Sequence, residues 1–127
     1  MSEVPQFRWN IEDQMPPQIE GWHVVRCVRM DWAGSNAGHK YVSAHFELVH
    51  SDPKLDKLLI FHPFNVRHPN PESSAESKHQ MNNLVRAIGE TSVADFTPFL
   101  GVLVRAKLGH DGSDLRHGFR IFDFRER

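Results

Sequence analysis

One cysteine, one tyrosine and no long apolar run set the first limits on this chain. Cys27 has no second cysteine with which to form an internal disulfide, and the first thirty residues lack the basic start and apolar core of a secretory leader. A reducing cytoplasm is the expected compartment. No apolar stretch approaches the ~18 residues that cross a bilayer, so no membrane partner is expected. The signatures of common chemistries are also missing. There is no Gly-x-Ser-x-Gly elbow, no phosphate-cradling Gly-Lys-Ser/Thr loop and no His-Glu-x-x-His. The nine histidines fall at intervals, such as His45 to His50 and His62 to His68, that match no compact ligand motif. Glu47, Asp56, Asp111, Asp114 and Asp123 have no spacing that asks for a nuclease metal site. Neither a catalytic residue, nor a metal, nor a cofactor is expected.

What is present suits one ordinary globular domain. Apolar residues make up 39% of the 127 and charged residues 24%, and a chain of this size buries enough surface to fold without a metal or disulfide. The net charge of -1 is unevenly spread. Residues 1–20 set Arg8 against Glu3, Glu12, Asp13 and Glu20, and residues 71–99 set Lys78 and Arg86 against Glu72, Glu76, Glu90 and Asp95. These two blocks are acidic, and the other three, which hold the expected strands, are all net basic. Such a polarity either makes one basic face or is random scatter.

Residues 1–20 read as an extended N-terminal arm, broken by Pro5, Pro16 and Pro17, with Phe7, Trp9 and Ile11 at alternate positions. The arm is expected to dock on the body, residues 21–127, or to reach a second subunit as the link of a homodimer. In the first strand Trp22, Val24, Val28 and Met30 share one parity while Val25 and Cys27 take the other, which predicts partial burial of both faces. Residues 31–39 hold turn chemistry in Gly34, Ser35, Asn36 and Gly38. In the second strand Val42, Ala44, Phe46 and Leu48 alternate with Tyr41, Ser43, His45 and Glu47, which predicts a core face and an outer face. A turn at residues 51–54 leads to a third strand, residues 57–66, whose inward parity is open because both faces are apolar.

Asn70 and Pro71 start a helix as cap and first residue. Met81, Leu84, Val85 and Ile88 form its apolar stripe, and Gly89 ends it. Its serine-rich, acidic first half is expected to face solvent. Val102, Val104, Ala106 and Leu108 alternate with Leu103, Arg105 and Lys107 in a fourth strand with a basic outer face. A hairpin loop at residues 110–115 precedes a fifth strand at residues 116–124.

Five strands with one helix between the third and fourth predict a mainly β chain with the order of the five-stranded oligonucleotide-binding (OB) barrel. That fold binds ligands across its second and third strands and the flanking loops. The candidate nucleic-acid-binding residues are therefore Trp32, Lys40, Tyr41, His45, Phe61, His62, Phe64 and Arg67, with Arg105 and Lys107 on the fourth strand. Aromatic rings stack on bases while Lys and Arg follow phosphates. Core packing is the competing role for each aromatic, and Tyr41 stands out because its parity opposes the core set.

These residues also carry a likeness. Gly38, Lys40-Tyr41-Val42, Phe46-Glu47-Leu48, Phe64-Asn65-Val66 with Asn70-Pro71, and Leu84 with Ala87-Ile88-Gly89 resemble a family of small tailed-phage proteins, over residues 21 to about 108. That family, formerly a domain of unknown function, is regarded as binding single-stranded DNA in phage replication and recombination. The resemblance implies an OB barrel and single-stranded DNA as partner. The glycines usual between its second and third strands are replaced here by Ser51-Asp52-Pro53-Lys54. The chain is similar in overall logic to bacterial single-strand-binding proteins, yet ends in residues 122–127 without their acidic, phenylalanine-tipped tail. Recruitment of host proteins by such a tail is not expected.

The leading expectation is a non-enzymatic protein that coats single-stranded DNA with little sequence preference in phage replication or recombination. The rival is an interaction module on the same fold, a phage inhibitor or assembly subunit, favoured by the near-neutral charge and the Phe7/Trp9/Ile11 arm. A metal-dependent nuclease is the third option.

Overall fold

The computed structural model describes residues 19–34, 38–109 and 120–127. The arm over residues 1–18, with its docking or dimer role, the loop tip at 35–37 and residues 110–119, with the first residues expected of the last strand, lie outside the described residues.

Alternation becomes pairing along β1 (Gly21–Gly34), β2 (Lys40–Leu48), β3 (Leu59–Phe64), β4 (Leu103–Gly109) and β5 (Arg120–Glu126). They form one antiparallel sheet of order β3-β2-β1-β4-β5, with α1 (Pro71–Ala87) inserted between β3 and β4. The expected mainly β chain with a helix after the third strand is therefore present. A closed barrel is not: among the described residues β3 and β5 have no backbone ladder between them and remain the two edges of an open sheet. No helix among the described residues is long and apolar enough to cross a membrane.

The core lies on one face. Val42, Ala44, Phe46 and Leu48 from β2 meet Val104, Ala106 and Leu108 from β4, as their alternation predicts. β1 buries residues of both parities because its phase breaks. A bulge between Cys27 and Arg29 inserts Val28 as an extra residue, so Val25, Cys27 and Met30 all point inward while Val28 is exposed. Burial of Cys27 pushes its thiol up to about 11, consistent with a packing role. β3 is resolved too: Ile60, His62 and Phe64 point inward, and Leu59 and Phe61 outward.

The sheet curls enough for its edge strands to touch through side chains. Phe64 of β3 stacks on Phe124 of β5 with ring centroids 5.7 Å apart, and Phe46 lies 5.4 Å from the same ring. Helix α1 then bridges the edges. Its start is fixed by Asn70, whose Oδ1 accepts from the Glu72 backbone N–H at 2.9 Å, with Pro71 behind it. Its end is a Schellman turn: Gly89, at φ +85°, donates to the Arg86 carbonyl, and Glu90 donates to the Val85 carbonyl.

The first half of α1 is not simply solvated, as its serines and acids suggested. Ser77 and Gln80 are buried, and Ser74, Ser77, Gln80 and Asn83 hold β3, the chain just after it and β5. Gln80 Nε2 donates to the Phe122 carbonyl at 3.2 Å, which turns its Oε1 toward His62 Nε2 at 2.9 Å. Since Oε1 only accepts, His62 carries its proton on Nε2.

Candidate nucleic-acid interface

Opposite residues of an antiparallel pair share a face, so the registers assemble the outer surface rung by rung. Phe61 of β3, His45 of β2 and Arg29 of β1 form one rung. Leu59, Glu47, Arg26 and Leu103 form the next across β3, β2, β1 and β4. Beyond them Val24 lies opposite Arg105, which faces Arg125 of β5, and Trp22 lies opposite Lys107. Tyr41 sits at the other end of the surface, opposite Ala33.

Phe61 is 45% exposed and lies 5.3 Å from the His45 ring, centroid to centroid, at 49°. His45 Nδ1 is buried without a hydrogen bond, so this ring offers its apolar face rather than that nitrogen. Arg26 Nη1 binds Glu47 Oε1 at 2.9 Å. That bridge is the one ion pair among the described residues, which leaves Arg29, Arg105, Lys107 and Arg125 without a carboxylate partner there. Arg105 and Arg125 face each other as like charges across the β4–β5 pair, an arrangement that costs stability until an anion intervenes. The Arg125 guanidinium settles over the Trp22 ring, 4.2 Å from its centroid.

Tyr41, His45, Phe61, Arg105 and Lys107 thus share the outer face, as their candidacy requires. His62 and Phe64 do not: both are buried, His62 only 5% exposed, and they pack edge-on at 4.6 Å inside the core. They follow the inward parity of β3 and cannot stack on a ligand there. Lys40 is exposed at the start of β2 but shares the parity of Val42.

Trp32 is paired with Val42, so it too lies on the inner side, at the end of the sheet. Its ring is 44% exposed, packs against Phe96 at 6.1 Å and carries the Arg67 guanidinium 5.0 Å from its centroid. These groups border a separate apolar cleft of about 390 Å³ that includes Val42, Val66, Met81 and Phe99. Trp32 and Arg67 therefore stand together, but away from Tyr41, His45 and Phe61.

The sequence reading missed Trp22, Arg29 and Arg125 as members of the outer face, and placed Glu47 there without giving it a binding role. Regular alternation would have found Trp22, whereas the bulge at Val28 hides Arg29 by reversing the phase of β1. The acids considered for a nuclease centre do not converge where described. Glu47 is on the outer face with Arg26, the Asp56 carboxylate accepts from the His50 backbone, and Asp123 accepts from Asn83 of α1 at 2.7 Å. Among the described residues no three His, Cys, Asp or Glu side chains are grouped as a metal site.

The site and fold define an open five-stranded antiparallel sheet with one bridging helix and an aromatic and basic outer face. Compared with known protein families and with curated proteins, the chain matches none.

Proposed function

We propose that this protein binds single-stranded DNA across the outer face of its sheet with little sequence preference, acting in the cytoplasm in phage replication or recombination and without catalysis of its own. The observation that carries the reading is the set of cations without an ion pair among the described residues, Arg29, Arg105, Lys107 and Arg125, beside the rings of Trp22, Tyr41, His45 and Phe61 on one face. Cations follow phosphates while exposed rings take bases, and neither needs base-specific hydrogen bonds. The resemblance to small phage proteins points to the same ligand and supplies the biological setting.

The finer fold belongs to the same proposal. A strand order of β3-β2-β1-β4-β5 is what an OB barrel shows when the contact between its third and fifth strands is left unpaired. The meeting of Phe64 with Phe124, and the Gln80 bridge, supports that kinship. Fluorescence anisotropy with labelled oligo-dT tests the function. The Arg105→Ala/Lys107→Ala double variant is expected to weaken binding about tenfold or more at low salt, since each lost phosphate contact removes counterion release. Unchanged affinity would remove these residues from the interface.

A second reading, the protein-interaction module, is favoured by the apolar cleft at Trp32 and Phe96 on the other side of the sheet. A stoichiometric, nuclease-resistant partner from host lysate that is lost in Trp32→Ala would support it.

A further inference from the structure

By register the outer face carries acids at Asp31, Glu47 and Asp123, and of these only Glu47 is held in an ion pair among the described residues. Glu47 stands between Leu59 and Arg26, one rung from the Phe61–His45 pair, and Arg26 claims only its Oε1. Its side chain is 20% exposed and that of Arg26 42%, so the carboxylate is held low on the surface while remaining open to a ligand edge. Same-face residues two apart on a strand are separated by roughly 6.6 Å along it. A pyrimidine stacked on Phe61 therefore brings its edge near the second carboxylate oxygen.

The cations and rings are also divided across the sheet. Arg29, Arg105, Lys107 and Arg125 lie on β1, β4 and β5, where the one ring is Trp22 under Arg125, while Tyr41, His45, Phe61 and Glu47 lie on β2 and β3. A strand with phosphates over the first set turns its bases toward the second. The carboxylate then repels no phosphate and meets only base edges. The His45 Nδ1 is buried and offers nothing to a base edge at this rung, whereas the second oxygen of Glu47 is not claimed by Arg26.

We infer that Glu47, positioned by Arg26 beside Phe61, is a base-selecting residue that accepts a hydrogen bond from an exocyclic amino group and so favours cytosine over uracil or thymine. This inference rests on the nucleic-acid reading of the outer face. A carboxylate accepts hydrogen bonds and donates none, so it suits the amino group of cytosine and opposes the carbonyl oxygen of uracil. The preference adds to stacking, which by itself discriminates weakly.

Competition between oligo-dC and oligo-dU of equal length tests it with the full chain, at fixed low salt and slightly alkaline pH, where oligo-dC stays single-stranded. The two probes differ at the exocyclic group that Glu47 would read and also at N3, a donor in uracil, which the methylation control at N4 separates. Oligo-dC is expected to bind about fivefold more tightly, the equivalent of one modest hydrogen bond. Blocking the amino group by double methylation at N4 should abolish the advantage. Glu47→Gln, whose amide can also donate, should bring the two affinities together, through a loss of affinity for oligo-dC that exceeds any loss for oligo-dU. Equal wild-type affinity for oligo-dC and oligo-dU, or an advantage that survives N4 methylation, overturns base selection and leaves single-strand binding standing. Failure of every probe to bind overturns both.

Discussion

Phe61 and Phe64 belong to the same short strand, but one side chain faces water and the other is fully buried. Their alanine variants should separate binding from stability. Phe61→Ala is expected to weaken oligonucleotide binding by roughly 1–3 kcal/mol, the value of one base–ring stack, with little change in the urea midpoint. Phe64→Ala should instead cost about 3–5 kcal/mol of folding stability, because it empties the contact with Phe124. Equilibrium unfolding and anisotropy on the two variants check both outcomes. Between them, His62 makes the core sensitive to acid. Burial lowers its pKa from 6.5 to about 4, with the hydrogen bond from its ring to Gln80 opposing the shift and the Arg120 charge adding to it. Over that interval the unfolded chain binds a proton that the folded chain refuses. Its contribution to stability is therefore complete above pH 6.5 and is lost as pH falls toward 4, by up to about 3 kcal/mol. Urea titrations across this range should show the loss in the wild type and a shallower slope in His62→Gln; identical slopes would contradict it.

At the scale of elements, α1 matters because it joins β3 and β5, which no backbone ladder joins among the described residues. Gln80→Leu removes the bonds to His62 and to the Phe122 carbonyl together, and a loss of roughly 2–4 kcal/mol is expected from two buried groups left without partners. Gly89→Ala should cost about 1–2 kcal/mol, and for a different reason. A Cβ there would meet nothing within 4 Å, so the penalty is the left-handed backbone alone. Both values are measurable by equilibrium unfolding.

The same elements show what could be read from residues and what could not. β2 and β4 were legible because one face of each is apolar and the other is not. β3 was not, since Leu59 and Phe61 are as apolar as the inward Ile60 and Phe64, and Leu59 is left 63% exposed. The phase of β1 was hidden by one extra residue at Val28. The polar front of α1 looked like a solvated surface because nothing local distinguishes a serine that faces water from Ser77, whose hydroxyl accepts from the Asn65 backbone at 2.8 Å. Trp32 and Arg67 lie where strand ends meet the Phe96 segment, so their cleft is a product of tertiary packing that alternation cannot express. The candidate site was accordingly legible where it rests on β2 and β4 and illegible where it depends on a bulge or a strand end.

For the whole molecule, a net charge of -1 gives no general attraction to a polyanion. Binding must come from the local arrangement, where an acidic helix front lies apart from a sheet face whose cations lack carboxylate partners among the described residues. A near-neutral protein with one basic face should bind single strands through a few phosphates and lose that binding steeply with salt. The most direct measurement is a salt titration of labelled oligo-dT binding by the full chain. If Arg29, Arg105, Lys107 and Arg125 each meet a phosphate, log K should fall linearly with log salt at a slope of about -3, from roughly 0.7 per contact. Absence of binding at low salt, or an affinity that ignores salt, would contradict the nucleic-acid account.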